Sequence, residues 1–126
     1  MAISTQSGVF RKSGDTLDIT IAAGGTAIPC GAIKVVNGFN CLATWGIAAG
    51  ESGTLKILQR GEVVEVTVDD VLGETNAGVA LYLDENGVLT KTSTHTEGAG
   101  TAPNTLLGYT RTAVASTAKT FEIVCA

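Results

Sequence analysis

The sequence predicts an all-β fold, a compact β-sandwich or small β-barrel of about eight to ten short strands with an extended N-terminal arm. Three observations predict it: short runs in which aliphatic and polar residues alternate, turn signals at intervals of about 8–12 residues, and a composition rich in Thr, Val and Gly. β-Branched residues favour strands, and the 16 glycines supply tight turns. With 126 residues, the chain is of single-domain size and long enough to bury a core.

The first half of the chain contains the clearest alternation. Leu17, Ile19 and Ile21 are separated by single polar residues, which places their side chains on one face of a strand. Asn37-Gly38 follows an apolar run and is the strongest short signal for a hairpin turn. The strands predicted in this half are Thr16–Ile21, Ala32–Val36, Phe39–Trp45, Thr54–Leu58 and Glu62–Val68.

The second half continues this pattern with two interruptions. Asp69–Asn76 is the one stretch that predicts a helical turn, because the acidic residues at its start suit a helix N-terminus. Lys91–Asn104 consists mainly of Thr, Gly and Ser, which predicts a flexible loop. Asp84-Glu85-Asn86-Gly87 is predicted to be a hairpin turn. The strands predicted in this half are Val79–Leu83, Val88–Thr90, Leu106–Arg111 and Thr120–Val124.

Composition and charge argue against several classes of protein. The chain has 8 basic and 12 acidic residues, whereas nucleic-acid-binding proteins normally carry an excess of Lys and Arg. No apolar run approaches the roughly 20 residues that span a bilayer, and the start of the sequence lacks the pattern of a secretory signal. We therefore expect an intracellular product with neither nucleic acid nor membrane as a partner. The three cysteines form no Cys-x-x-Cys pair and are interpreted as small buried hydrophobic residues.

No group of residues has the spacing of a catalytic or metal site. Gly50–Lys56 differs from a phosphate-binding loop because its lysine comes three residues late and a predicted strand follows. The single histidine, His95, lies in the predicted loop, and the chain has no nucleophile-elbow motif. Asp69-Asp70 and Asp84-Glu85 are sequence neighbours, so each pair would point to opposite faces of a strand. We therefore predict no enzyme activity, no cofactor and no bound metal.

Residues 1–13 are predicted to form an arm and residues 14–126 a single β domain. The arm is too polar to pack as core, and such a segment can add as a strand to the sheet edge of a partner. For the large aromatic residues of the domain two interpretations stay open, ordinary core packing and anchoring of an interface. The candidate interface residues are Ile3, Val9 and Phe10, the basic pair Arg11 and Lys12 at the end of the arm, and Phe39 and Trp45.

Several segments match, in order, the motifs of one family. Gly14–Thr20 has the form Gly-Asp-x-Leu-x-[Ile/Val]-Thr and is followed by an Ala/Gly-rich turn at Ala22–Gly25. The most specific block is Gly78–Thr90, close to a Gly-x-x-[Val/Leu]-Tyr-x-Asp motif that ends in Gly-x-[Leu/Val]-Thr. From about Gly14 to Val124 the chain resembles the capsid decoration (cement) proteins of tailed bacteriophages. Some members of that family carry a label as RecA-like recombinases, but this sequence has no phosphate loop.

The resemblance implies a structural virion protein that binds the outside of the assembled head and stabilises contacts between major capsid proteins. It also implies a homo-oligomer, with a trimer favoured over a dimer, made in the host bacterial cytoplasm and located on the outer capsid surface. The arm would then add along the edge of a capsid subunit. The alternative function is a ligand- or glycan-binding module on the virion surface, for which Trp45 and Tyr109 are the candidate aromatic residues.

Overall fold

The structure is a computed structural model that describes residues 15–126, and this part of the chain contains strands and turns but no helix. The all-β prediction is therefore confirmed. Residues 1–14, which include the predicted arm, lie outside the described residues. The strands are β1 (Thr16–Thr20), β2 (Ile33–Val36), β3 (Phe39–Leu42), β4 (Ser52–Ile57), β5 (Val63–Thr67), β6 (Ala80–Leu83), β7 (Leu89–Thr90), β8 (Thr94–Glu97), β9 (Gly100–Pro103), β10 (Thr105–Thr110) and β11 (Thr120–Cys125).

Four strands form an antiparallel sheet, here named sheet 1, in the order β1-β4-β3-β2, so β1 and β2 are its edges. The register aligns Thr16, Lys56, Leu42 and Ile33 in one row across the four strands. Asn37-Gly38 forms the predicted turn between β2 and β3, and both residues have positive φ, 52° and 82°. This conformation is the one that a two-residue type I′ hairpin turn requires.

Five strands form the second antiparallel sheet, named sheet 2, in the order β5-β11-β10-β6-β7. The register between β10 and β6 shifts between Leu106 and Gly108, which marks a bulge. A Cβ added at Gly108 would collide with the backbone carbonyl of Val124. Strand β11 can therefore lie this close to β10 only because residue 108 has no side chain.

The described residues form two hydrophobic cores, one for each large sheet. The smaller core lies on one face of sheet 1, where Ile28 and Ile47 form an isolated β-bridge and Ile47 packs over Gly53. The larger core belongs to sheet 2, and Ile33 and Leu42 of sheet 1 pack against it. The buried residues of the smaller core are Ile28, Cys41, Ala43, Ile47, Leu55 and Ile57; those of the larger are Leu58, Val66, Leu81, Leu83, Leu107, Val114, Phe121, Ile123 and Cys125.

The prediction of a helical turn at Asp69–Asn76 is wrong. This segment consists of bends, and Thr75 pairs with Val114 through backbone hydrogen bonds of 3.0 and 2.7 Å. Gly73 has a φ of +83°, which a right-handed helical turn does not allow. Pairing with a distant part of the chain therefore overrides the local preference of the acidic residues.

The prediction of a flexible loop at Lys91–Asn104 is also wrong. Most of this segment forms a third sheet, the hairpin β8–β9, with pairs that run from Thr94 and Pro103 to Glu97 and Gly100. Its threonines are β-branched and favour extended backbone, which a composition count of loop residues does not take into account. With this hairpin, residues 15–126 contain 11 strands, just above the predicted range.

Candidate interaction surface

Phe39 and Trp45, for which core packing stayed open, lie at the surface. The side chain of Trp45 is 80% exposed and that of Phe39 is 48% exposed. Phe39 and Trp45 are spaced by two residues from the buried Cys41 and Ala43, which in a continuous strand would place all four side chains on one face. However, Phe39 adjoins the β2–β3 turn, and Trp45 lies in a bend after β3 has ended. The core interpretation is therefore wrong for both residues, and the interface interpretation stays a prediction.

The exposed aromatic residues come from different elements. Phe39 is the first residue of β3, and Trp45 lies in the bend that follows this strand. Tyr109, 41% exposed, lies in β10 of sheet 2, between Ala80 and Val124 in the register. Trp45 thus follows a strand of sheet 1 and Tyr109 lies in a strand of sheet 2, and the ligand- or glycan-binding alternative stays a prediction.

A groove of about 900 Å³ opens beside β2, the edge strand of sheet 1. Its floor contains Val66, Leu83 and Leu107, three buried residues of the larger core. Half-buried aliphatic residues form its walls, with Ile33 on the side of sheet 1. The groove thus lies between the apolar face of sheet 2 and the β2 edge of sheet 1. The half-buried wall residues are Ile33, Val68, Leu72 and Leu89.

The rim of the groove is mainly acidic. Glu65, Asp69 and Asp70 line it and are exposed, whereas Lys91 is its one basic residue. Sequence analysis interpreted Asp69-Asp70 as solvated turn residues, and their exposure agrees with this interpretation. That they stand at the rim of an apolar groove follows only from the packing of sheet 1 against sheet 2.

Exposed aliphatic residues and the thiol of Cys30 lie at the mouth of the groove. Val71 and Val88 line it and are exposed, although both are aliphatic. Cys30 also lines it, and its thiol donates a hydrogen bond of 3.2 Å to the backbone carbonyl of Thr44. This contact connects the mouth of the groove to the bend that follows β3. Exposed aliphatic side chains around one concavity are typical of an interaction site.

This chain matches one family of known proteins. A family model described as phage cement protein matches residues 11–125. The chain belongs to the phage cement protein family. No match was found among curated proteins or among solved structures. Membership confirms the resemblance that the motifs indicate and supports a structural role on the phage capsid, and the matched range begins at Arg11 of the basic pair.

His95 does not lie in the loop that the sequence predicts. It lies in β8, is half-buried, and its Nδ1 is hydrogen-bonded to Oδ1 of Asn104 at 2.7 Å. Glu85 and Glu97 stand 3.4 and 3.7 Å from its ring nitrogens, and Asn104 donates to the carbonyl of Thr92. These contacts connect the hairpin β8–β9 to the β6–β7 turn and to the chain that follows β9.

Lys56, the lysine of the segment compared with a phosphate loop, lies in strand β4 of the cement protein. Its Nζ is 2.9 and 3.0 Å from the two carboxylate oxygens of Glu62. The Gln59 backbone N–H donates to the same carboxylate at 2.6 Å. This N–H foremost, and then the Lys56 ammonium, lower the pKa of Glu62 below its ordinary value. The lysine is thus part of a turn-stabilising ion pair rather than a phosphate cradle.

The cysteines of the cement protein differ in exposure. Cys41 and Cys125 are buried, as the sequence predicts, and burial raises the pKa of both thiols. Cys30 is exposed, so the prediction is wrong for this residue. It precedes β2 and lies at the mouth of the groove, where no residue of the range 15–126 buries it.

Asp84, of the acidic pair Asp84-Glu85, holds a turn through hydrogen bonds. Asp84 Oδ1 accepts hydrogen bonds from the backbone N–H groups of Asn86 and Val88, at 2.8 and 2.9 Å, and thereby stabilises the β6–β7 turn. Among residues 15–126, no three side chains of the His, Cys, Asp or Glu types converge as metal ligands would. Within the same range there is also no helix with the length and hydropathy to cross a bilayer.

Proposed function

We propose that this protein binds the outside of the assembled phage head and stabilises the contacts between neighbouring major capsid proteins. The observation that carries the proposal is the match of residues 11–125 to the phage cement protein family. The antiparallel fold supports it, because such a scaffold presents loops and strand edges to a partner. The protein acts without catalytic turnover, its partner is the major capsid protein, and after synthesis in the host cytoplasm it remains on the outer surface of the virion.

We propose further that the protein acts as a homo-oligomer, as a trimer in the first instance and a dimer as the alternative. A subunit that is already held on the shell brings its neighbours close to their own contacts. The effective concentration of the second contact is then far higher than that of free protein. An oligomer at a symmetry axis of the shell therefore binds more tightly than its separate subunits.

The proposed contacts combine exposed aromatic residues with the N-terminal arm. Trp45, with four fifths of its side chain exposed, is of the residue type that dominates the binding energy of interfaces. An extended arm satisfies its backbone by adding to a sheet edge. The residues proposed for the capsid or subunit interface are Ile3, Val9, Phe10, Arg11, Lys12, Phe39 and Trp45.

The proposal is tested on purified heads that lack the protein. Added wild-type protein is expected to saturate the heads and to raise the temperature at which they release DNA. Deletion of residues 2–12, or Trp45→Ala, is expected to weaken binding by at least about tenfold, because each removes part of the contact. Val63→Ala, at an exposed residue of β5 outside the proposed contacts, is the matched control.

Two outcomes would contradict this proposal at different levels. Unchanged occupancy by the deletion variant would remove the arm from the interface. Heads that are equally resistant to heat with and without bound protein would contradict the stabilising function itself.

A further inference from the structure

The groove beside β2 has the chemistry of a binding site for an extended apolar and basic segment. Its floor of Val66, Leu83 and Leu107 is aliphatic, and the exposed Val71 and Val88 flank its mouth. Its volume, about 900 Å³, is near the upper end of the range for pockets that hold whole ligands. The groove therefore has room for several side chains. Since its floor is already buried, an occupant would cover the exposed Val71 and Val88 and the accessible parts of the half-buried wall residues.

The charges of the groove indicate the sign of its occupant. Glu65, Asp69 and Asp70 line the rim against the single basic residue Lys91. The asymmetry extends beyond the groove, because residues 15–126 contain 6 basic and 12 acidic residues. An occupant with positive charge next to apolar side chains complements both the rim and the floor.

The chain itself contains a segment with these properties. Residues 1–14 have two basic residues and no acidic one, and the basic pair Arg11-Lys12 directly follows the apolar pair Val9-Phe10. Ile3 is a third apolar residue, six positions before Val9. Fourteen residues extend to about 45 Å, which is enough to reach the surface of a neighbouring molecule.

The direction of the chain favours the groove of a second copy over its own. The segment leaves sheet 1 from β1, whereas the groove flanks β2 at the opposite edge. The row of paired residues that contains Ile33 of β2 ends at Thr16 of β1. The carbonyl of Asp15, one residue before Thr16, accepts a hydrogen bond of 2.7 Å from the Ile57 backbone N–H, so at Asp15 the chain has passed this row along the line of β1. On the side of sheet 1, the groove is lined by residues 30–33. Ile33 lies on this row, and residues 30–32 lie on the side of the row that faces away from Asp15. A segment that bound its own groove would have to reverse and cross sheet 1.

We propose that the N-terminal arm of one copy lies in the groove of the next copy, with Val9 and Phe10 on the aliphatic floor and Arg11 and Lys12 against Asp69 and Asp70. The contact is head-to-tail, so it closes into a ring when the rotation between copies allows it. The inference rests on the proposed function only for the size of the ring, which is three copies if the protein is a trimer. Self-association through the arm and groove is expected in solution, without heads.

The test is a mixing experiment with two variants, followed by light scattering on a sizing column. One variant lacks residues 2–12 and keeps its groove; the other keeps its arm and carries Asp69→Lys and Asp70→Lys. Wild-type protein is expected to form a closed oligomer and each variant alone a monomer. An equimolar mixture is expected to form a one-to-one dimer that grows no further, because only one arm and one matching groove are present.

Charge exchange gives a second, independent measurement. Arg11→Glu with Lys12→Glu is expected to weaken self-association by at least about tenfold, and combination with Asp69→Lys and Asp70→Lys to restore it. The matched control is Glu51→Lys with Glu74→Lys, which makes the same change in net charge at exposed residues outside the groove lining.

Each result counts for or against the arm-in-groove contact. A monomeric wild type, a mixture that stays monomeric although both variants have wild-type circular dichroism, or failure of the exchanged charges to restore association would overturn it. Binding of the wild type to heads is measured separately. A protein that binds heads as a monomer would retain the cement function and lose only this inference.

Discussion

At the scale of the residue, the fold depends on positions where the backbone needs space. Gly108 is buried in β10 at the bulge, opposite Cys125 of β11, and a Cβ there would meet the carbonyl of Val124. Backbone atoms cannot move aside as a flexible side chain does. The absence of a side chain at residue 108 is therefore a requirement of the pairing between β10 and β11.

Gly108→Ala is expected to lower the free energy of unfolding by about 1–3 kcal/mol, the usual cost of overpacking a core. The matched control is Gly100→Ala in the exposed strand β9, where the nearest atom to an added Cβ is the Glu97 carbonyl at 3.9 Å. Urea unfolding of both variants measures the difference. Equal stability of the two would show that β10 and β11 can separate at no cost.

At the scale of the element, the connection between β4 and β5 shows how a short turn is held. Glu62 accepts a hydrogen bond from the Gln59 backbone and pairs with Lys56. The backbones of Gly61 and Glu62 are hydrogen-bonded to Cys125 at the end of β11. The turn thus connects sheet 1 to sheet 2, and its carboxylate is part of the connection.

Glu62→Gln is expected to lower the midpoint of urea unfolding at pH 7, with a difference from wild type that shrinks toward pH 3. The pKa of Glu62 is lowered in the folded protein, first by the Gln59 N–H and then by Lys56. The carboxylate therefore stabilises the fold above its unfolded pKa, and this contribution is lost as the pH falls through the folded pKa.

Glu51→Gln, at an exposed turn residue before β4, is the control for Glu62→Gln. A difference between Glu62→Gln and wild type that stayed constant over the whole pH range would show that ionisation of Glu62 does not stabilise the turn.

At the scale of the whole molecule, two separate cores have to act together. Asn40 in β3 joins them: its Nδ2 donates to the Leu106 carbonyl of sheet 2 at 3.0 Å, and its own carbonyl accepts from the Leu58 backbone N–H. Ile33 and Leu42, on either side of the β2–β3 pairing, pack against the larger core. Sheet 1 therefore cannot open without exposing part of sheet 2.

Wild-type protein is expected to unfold in a single transition, with the same urea midpoint by far-ultraviolet circular dichroism, which reports on both sheets, and by labelling of the buried thiols of Cys41 in the smaller core and Cys125 in the larger core. Asn40→Ala is expected to lower the free energy of unfolding by about 1–2 kcal/mol, because it removes the donor to Leu106. Lys34→Ala, at an exposed residue of the neighbouring strand, is the control. Two separated midpoints in the wild type would contradict the coupling of the cores.

Local patterns predicted the elements whose geometry depends on sequence neighbours. The alternation of Leu17 and Ile19 placed β1, and Asn37-Gly38 placed the first hairpin turn, since each pattern dictates backbone conformation within a few residues. Lys91–Asn104 and Asp69–Asn76 were predicted wrongly, because pairing between β8 and β9, and between Thr75 and Val114, decided their structure.

The sequence by itself determined the all-β class, the order of the strands and, through the motifs between Gly14 and Val124, membership of the phage cement protein family. Only the tertiary structure decided that Trp45 is exposed, that His95 is held by Asn104 and that an apolar groove with an acidic rim flanks β2. Alternation states which residues share a face of a strand. Whether another sheet covers that face depends on residues far apart in the chain.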